Sequence, residues 1–370
     1  MLKIGTKEQI QAYRESPAIN QSTLKNLQFG LASFLKKQDE EGPTASFERG
    51  SAVDCILTAP EGAFEEQFYI STLEKKPSET EMLIVSMVFD KIPKEYGIQI
   101  EPFPYYDAFI QESIETVGWQ SNWKMETRVE KIRSNTACQE YFDDLKNSQD
   151  KTILSLAQYG EVMAVVESLR NNERTREFFD REKIQKSENE IWLYQVPIYF
   201  EYEGHQCKAL PDIVRIKMKE DEVEQVQVID LKTMSEDTLK FPESVSKYRY
   251  EIQAAWYVEA LDRVDKSFWK ELGVELTRDS QMLPFLFVVE SMYSPGRPLI
   301  YEVLPSLMEQ GRSGSEDSYD CEGNTLLRKG KKGFTTLLEE YAYYQNNDFS
   351  EDILLKNKNG WVKIDVNGIR

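Results

Sequence analysis

The stretch PDIVRIKMKEDEVEQVQVIDLKTM, residues 211–234, contains two apolar-patterned strand sequences joined by an acidic turn. If the turn centres on Asp221, a hairpin sets Asp212 opposite Asp230, with Cβ atoms roughly 4.5–5.5 Å apart. Two like charges in this position repel each other, and a divalent cation between them removes the conflict. Because strand side chains alternate, Lys232 shares the face of Asp230. The pattern therefore predicts two carboxylates and one ammonium group at a single spot.

Such a group of side chains indicates metal-dependent chemistry on a phosphate. Carboxylate oxygens are hard ligands that suit Mg²⁺ and also Mn²⁺. A metal bound there would lower the pKa of a bound water and stabilise charge on a phosphate, while Lys232 could orient or deprotonate the nucleophile. On the next helix, Gln253 and Tyr257 are four residues apart and share one face. A solvated strand with an Asp–Lys pair and a half-buried helix stripe are the alternative interpretations.

Composition limits the class of protein. The chain has 370 residues, of which 40% are hydrophobic and 29% charged, as in ordinary globular proteins of one elaborated domain or two. The apolar run LPFLFVV at 283–289 is far shorter than the ~20 residues of a membrane helix, and the N-terminus lacks the apolar core of a secretory signal. We therefore expect no membrane association and a cytoplasmic location. The four cysteines are scattered without zinc-type spacing, which favours structural thiols.

The order of helical and strand-like patterns predicts an α/β fold. Strand-like runs occupy 192–202, 207–217, 226–234, 284–291 and 298–305, and a helix is predicted at about 245–262. The predicted organisation is N-terminal helices of the core at 1–70, a helical insertion or subdomain at 71–185, the catalytic core at 186–310, and a mobile basic loop with a C-terminal helix at 311–370. In the first segment, Asn20 or Ser22 is the predicted N-cap.

Several motifs in this order resemble a known nuclease superfamily. PD, 17 residues, DLK and then QAAWY are similar to motifs II and III and the QxxxY element of the PD-(D/E)XK nucleases. AINQSTLKNL at 18–27 and ERGSAVDCILTAPEGAFEEQFYI at 48–70 resemble segments of the RecB-like branch that includes the RecE, or exonuclease VIII, type of phage exonucleases. The resemblance covers residues 18–70 and 195–260 and leaves 71–185 unmatched.

The resemblance implies a restriction-endonuclease-like core, with a mixed central sheet flanked by helices. It also implies a Mg²⁺-dependent DNA exonuclease of phage-type recombination or DNA processing, in the cytoplasm of a bacterium or phage-infected host. Linear duplex DNA would be the substrate. A single-strand annealing protein or a helicase is a candidate partner, and related enzymes form ring-shaped homo-oligomers.

Carried over to this chain, the resemblance makes Asp212 and Asp230 metal ligands and Lys232 the catalytic lysine. Gln253 and Tyr257 would support the site or face DNA. The chain departs from the family pattern at two further positions, where an aspartate can still ligate a metal and a glutamine could supply either an amide oxygen or only a hydrogen bond. Asp54 stands where the family usually has a metal-contacting histidine, and Gln195 where the first strand often carries a glutamate.

A DNA substrate must be reconciled with a net charge of −19. Bound metal and a local basic groove can hold a polyanion, because charges are screened beyond about 8 Å in physiological salt. Lys329 and Lys331 lie on either side of Gly330 in LLRKGKKGF, and Arg249 precedes the QxxxY helix. The two lysines are predicted to contact phosphates or support the site, with a solvated loop as the alternative interpretation. Arg249 is likewise predicted to support the site or to contact DNA.

Other functions are excluded or kept as rivals. His205 is the one histidine, so HNH nucleases, HExxH proteases and Ser–His–Asp hydrolases lack an essential residue. No P-loop is present, so any helicase partner is another polypeptide. One rival hypothesis is a catalytically inactive nuclease fold that binds DNA or protein. The other is an acidic decoy of a host DNA-processing enzyme.

Overall fold

The computed structural model describes residues 1–32, 34–35, 45–73, 75–93, 100–319, 326–328, 330–347, 349, 364–365 and 368–369. The chain divides into two compact units. The first, which we call the sheet unit, comprises Met1–Gly50, Leu57–Pro60 and Val165–Arg370. The second, the helical unit, comprises Ser51–Ile56 and Glu61–Ala164.

The strands up to residue 302 are numbered along the chain. They are β1 Leu2–Ile4, β2 Phe68–Ser71, β3 Thr152–Ser155, β4 Glu190–Tyr194, β5 Ile198–Tyr202, β6 His205–Ala209, β7 Ile213–Lys219, β8 Glu222–Met234, β9 Gln281–Met282, β10 Leu286–Ser291 and β11 Leu299–Glu302. Short two-stranded pairs follow, and they join Gly314–Ser315 to Lys331–Lys332, Ser318–Tyr319 to Leu326–Arg328, and Ile364–Asp365 to Gly368–Ile369.

The sheet unit is built on a mixed sheet with the order β1-β4-β7-β8-β10-β11, and β9 also pairs with β8. Neighbours β1 and β4, β8 and β9, and β8 and β10 are parallel, whereas β4 and β7, β7 and β8, and β10 and β11 are antiparallel. Strands β5 and β6 form a separate antiparallel hairpin. Strand β8 is therefore central, and four successive residues at 228–231 are buried, as expected for a strand covered on both faces.

Helices flank this sheet, so the α/β class with a mixed central sheet is confirmed. The helices of the sheet unit are Lys7–Glu15, Gln21–Leu27, Arg181–Gln185, Phe241–Tyr248, Tyr250–Arg263, Lys266–Glu271, Pro305–Ser313 and Phe334–Gln345. The helices Ala45–Thr58 and Leu156–Asn171 contribute residues to both units. Within the described ranges, no helix has the length and apolarity needed to cross a bilayer.

Local sequence explains how the helices next to β8 begin and which face they bury. Asn20 caps the helix Gln21–Leu27, because its side chain accepts a 2.8 Å hydrogen bond from the Thr23 amide, and one of the two predicted N-caps is thus confirmed. Leu24 and Leu27 of this helix are fully buried. The helix Tyr250–Arg263 buries an almost continuous surface that includes Trp256. Both helices therefore pack into one hydrophobic core with the sheet.

Three predicted elements are each divided in two. The run 192–202 is not one strand, because Gln195, with φ +46°, separates β4 from β5. The run 207–217 breaks before β7 at Pro211, which cannot donate to a ladder. The helix predicted at 245–262 is interrupted at Arg249, with φ +57°. In each case the apolar pattern continues across the break, so periodicity alone cannot detect it.

The helical unit has its own hydrophobic core. Its helices are Ala63–Gln67, Glu79–Asp90, Asp107–Val117, Met125–Arg133 and Thr136–Ser148, and β2 pairs with β3 in parallel. Ile84, Val88, Ile110, Ile114 and Phe142 are buried together. Most of the segment predicted as a helical insertion, 71–185, lies here. Residues 165–185 instead belong to the sheet unit.

Candidate active site

The turn between β7 and β8 sets the register of the hairpin. Lys219 pairs with Glu222, which leaves a two-residue turn between the strands. A bulge next to Lys217 then shifts the register, so that Lys217 faces Gln225. The turn is centred half a residue before Asp221, the predicted centre. The bulge restores the predicted register further along the two strands.

Beyond the bulge, the ladder places the two predicted carboxylates next to each other. It runs to Ile213 opposite Ile229, and the next residue on each side is Asp212 and Asp230. The amide of Leu231 donates a 2.8 Å hydrogen bond to Asp212 Oδ2, which fixes the Asp212 side chain against β8. The predicted cross-strand register is therefore confirmed, although Asp212 immediately precedes β7 rather than lying within it.

Asp230 is a buried carboxylate in the middle of the sheet. Only 1% of its surface is exposed. Its Oδ1 accepts a 2.8 Å hydrogen bond from Gln253 Nε2, and its Oδ2 forms an ion pair with the Lys232 ammonium. Within the described part of the chain, the Lys232 ammonium is the partner of Oδ2. A carboxylate oxygen has two lone pairs, so Oδ2 can bind a second cation besides Lys232.

Lys232 lies on the same face as Asp230, as strand alternation predicts, and it is mostly buried. Its Nζ lies 5.0 Å from the centroid of the Tyr250 ring and 5.9 Å from that of Phe287. Burial lowers the pKa of Lys232, but the charges of Asp230 and Asp212 outweigh this effect and raise the pKa above its usual value. In this arrangement Lys232 is an ammonium ion at neutral pH, and it can orient an anion more readily than it can accept a proton.

The QxxxY pair supports the Asp230 carboxylate. Gln253 and Tyr257 are both buried on the helix Tyr250–Arg263. Gln253 Nε2 also donates to the Tyr257 hydroxyl at 3.2 Å, so one amide group links the tyrosine to Asp230. Burial and the nearby Asp230 and Asp212 charges raise the pKa of Tyr257 well above its usual value. The phenol therefore stays neutral, and the shared helix face predicted from the spacing is confirmed.

One charged residue at this site, Lys25, has no role in the sequence analysis. Lys25, on the helix Gln21–Leu27, lies with its Nζ 5.6 Å from the centroid of the same Tyr250 ring that Lys232 contacts. Burial, and then repulsion from Lys232, lower the pKa of Lys25 to about 8. The sequence signal for Lys25 is its position within AINQSTLKNL, a segment that resembles the nuclease family. The resemblance assigns no role to this lysine.

Next to Lys232, the main chain at Gly50 lies close to the Thr233 side chain. A Cβ built on Gly50 would lie 2.9 Å from Thr233 Oγ1, which is shorter than contacts of real Cβ atoms. Glycine at position 50 therefore lets the helix Ala45–Thr58 approach the end of β8. Asp54 lies four residues further along this helix, in the helical unit. Its predicted role as a metal ligand stays a prediction.

Gln195 adjoins Asp212 through the backbone. The Gln195 amide donates a 3.0 Å hydrogen bond to the Asp212 carbonyl. Its side-chain Nε2 donates to Thr58 Oγ1 at 2.7 Å. The left-handed conformation of Gln195 turns the chain away from the sheet after β4. The predicted contribution of the side-chain oxygen to the site remains untested.

The basic residues predicted to hold DNA differ in their surroundings. Arg249 is buried, and its guanidinium pairs with Glu251 and donates to Gln28 Oε1 at 3.3 Å and to the Lys332 carbonyl at 2.5 Å. These contacts are those of a site-supporting residue rather than of a free phosphate contact. The Lys331 ammonium donates to the hydroxyl and the carbonyl oxygen of Ser246. Lys329 lies outside the described residues.

The site partly meets the requirements of a divalent metal. Asp212 and Asp230 supply neighbouring carboxylates, and Asp230 Oδ2, which pairs with Lys232, can accept a second cation. Such hard oxygen ligands suit Mg²⁺ or Mn²⁺, which keep several coordination positions for water and substrate. Across the described ranges, however, no group of three or more His, Cys, Asp or Glu side chains is placed to hold a metal. A metal here would be bound mainly by two protein carboxylates.

Comparisons with known proteins add little to this description. No protein-family model matches the chain, and no curated protein matches it. Among solved structures, the chain is similar to a crystal structure named "Putative exonuclease" from Eubacterium rectale, at 17% identity and a TM-score of 0.27. The match covers 62% of this chain and 76% of the other. At this TM-score the likeness carries no argument, so function has to be inferred from the site.

Proposed function

We propose that this protein is a metal-dependent nuclease that hydrolyses phosphodiester bonds of DNA, with its active site at Asp212, Asp230 and Lys232. The observation that carries the proposal is the hairpin register, which sets two carboxylates side by side with an ammonium group on the same strand. Placing like charges together in a sheet interior is unfavourable unless a cation binds them.

In the proposed reaction, Asp212 and Asp230 hold Mg²⁺ or Mn²⁺. When bound, the metal supplies a water of lowered pKa and stabilises negative charge on the phosphate. Gln253 holds Asp230 Oδ1, and Oδ2 would bind the metal beside the Lys232 ammonium. Lys232 is charged and can bind a phosphate oxygen. The neutral Tyr257 hydroxyl holds the Gln253 amide in position.

The finer parts of the proposal rest on the sequence resemblance. They are exonuclease action on linear duplex DNA, a ring-shaped homo-oligomer, a single-strand annealing or helicase partner, and a place in phage-type recombination in a bacterial cytoplasm. DNA binding by a chain of net charge −19 requires metal and local cations.

A degradation assay tests the proposal. End-labelled linear duplex and closed circular duplex would be incubated with Mg²⁺, Mn²⁺ or EDTA and with wild type or Lys232→Ala. We expect loss of the linear DNA alone, abolished by EDTA and by the substitution. Cleavage of both substrates would support nuclease activity but contradict the proposed exonuclease action. If neither DNA changes while the wild-type protein is folded and metal is present, the proposed nuclease function is wrong for these substrates.

Two observations favour a second candidate, an inactive nuclease fold that binds DNA or protein. The described residues offer no cluster of three metal ligands, and Lys232 already neutralises Asp230. This candidate predicts that binding to a partner survives the loss of Asp212 and Asp230. Mn²⁺ titration of the wild-type protein distinguishes the two, because only the nuclease requires a saturable metal site removed by Asp230→Asn.

A further inference from the structure

Two ammonium groups lie over one aromatic ring in the sheet unit. Lys25 Nζ and Lys232 Nζ are 5.6 Å and 5.0 Å from the centroid of Tyr250. The ring attracts both cations, but the two like charges repel each other. Such an arrangement costs free energy in the isolated protein, and features of this kind concentrate at functional sites.

The protein holds Lys25 in this position from two sides. Leu24 and Leu27, its neighbours on the same helix, are fully buried in the core of the sheet unit. At the end of the helix, Gln28 Oε1 accepts a hydrogen bond of 3.3 Å from Arg249, the residue that precedes Tyr250. The helix is thereby tied to the chain segment that carries the ring. Lys25 is consequently placed by packing and not by a counter-ion.

Lys25 differs from the other charged groups near it in having no direct partner. Four charged side chains act on its ammonium, and two pairs form among them. Asp230 pairs with Lys232, and Glu251 pairs with Arg249. Within the described residues, no acceptor lies at hydrogen-bonding distance from Lys25 Nζ. The charges within each of the two ion pairs compensate each other, whereas the positive charge of Lys25 is not compensated. A half-buried cation without a partner is an available site for an anion.

We propose that Lys25 is a phosphate-binding residue of this site, whose ammonium binds a non-bridging oxygen of a DNA phosphate next to Lys232. This inference rests on the proposed nuclease function and extends its substrate-binding surface from β8 to the N-terminal helix. In an acidic protein, Lys25 adds local positive charge to that of Lys232, which is paired with Asp230. The contact is to the backbone of the nucleic acid, so it adds affinity without sequence preference.

A salt titration of DNA binding tests the proposal. Binding of a fluorescent linear duplex would be measured by anisotropy with Ca²⁺ in place of Mg²⁺, over a series of KCl concentrations. Wild type, Lys25→Met, Lys25→Arg and the control Lys266→Met would be compared; Lys266 is exposed on another helix. We expect Lys25→Met to reduce the slope of log affinity against log salt concentration by about 0.9, the value for one phosphate contact. Lys25→Arg and Lys266→Met should keep the wild-type slope.

A change in folding would not produce this pattern, and circular dichroism of each variant verifies the fold. An unchanged slope and affinity in Lys25→Met overturns the proposal, and so does an equal loss in Lys25→Arg and Lys25→Met. If the folded wild-type protein does not bind the duplex at all, the proposed nuclease function fails, and the phosphate-binding role of Lys25 falls with it. The wild-type titration therefore distinguishes a failure of the proposed nuclease function from a failure of the proposed Lys25 contact.

Discussion

Replacing Lys232 with methionine removes the cation that neutralises a buried carboxylate. Asp230 has 1% of its surface exposed and would keep only the hydrogen bond from Gln253. Breaking a buried ion pair from one side costs about 3–5 kcal/mol, because the remaining charge stays desolvated. Since 17% of the Lys232 side chain is exposed, water can reach part of the vacated space, and we expect the lower end, about 3 kcal/mol. Methionine keeps the packing against Tyr250 and Phe287.

Urea unfolding followed by tryptophan fluorescence measures this loss, because Trp192 and Trp256 are buried in the sheet unit. The matched control is the double variant Lys232→Met with Asp230→Asn, in which the unpaired charge is removed as well. We expect it to recover more than half of the lost stability. A loss below about 1 kcal/mol in Lys232→Met, or no recovery in the double variant, would refute the view that Lys232 compensates a buried charge.

Three further predictions concern metal, pH and packing. Mg²⁺ should raise the Tm of the wild-type protein by binding the native state, and should leave Asp230→Asn unchanged in a thermal melt. The pKa of Lys25 is lowered to about 8, so the native state binds fewer protons than the unfolded chain up to about pH 10. Stability of the wild type relative to Lys25→Met should therefore rise by about 1–2 kcal/mol between pH 7.5 and 9.5 in urea unfolding, and a flat difference would contradict this. Gly50→Ala should cost about 1–3 kcal/mol because its Cβ meets Thr233 Oγ1, and Thr233→Ala should restore most of the loss.

The central part of the site was predictable because strand geometry leaves little freedom. Once the β7–β8 hairpin is recognised, the period of two residues fixes Asp230 and Lys232 on one face, and the register fixes Asp212 beside them. The i, i+4 spacing likewise brings Gln253 and Tyr257 to one helix face. These relations are local in sequence, and they depend on no long-range packing.

Other features could not be predicted from the sequence, because they depend on tertiary contacts. The breaks at Gln195 and Arg249 use left-handed conformations of residues that do not favour them, and no glycine marks either position. Lys25 is about 200 residues from β8 along the chain, and only packing brings it to Tyr250. Arg249 was predicted from its charge and its place before the QxxxY helix to support the site or contact DNA, and its burial against Glu251 depends on tertiary packing.

The most direct test of the central claim is the rate at which the protein hydrolyses an end-labelled linear DNA duplex with Mg²⁺. Wild type, Asp230→Asn and the surface control Lys266→Met would be compared after their folds are verified by circular dichroism. If Asp212, Asp230 and Lys232 form a metal-dependent active site, Asp230→Asn should lower the rate by roughly 10³-fold, and Lys266→Met should not change it. Equal rates for wild type and Asp230→Asn, or no hydrolysis by the folded wild-type protein, would contradict the account.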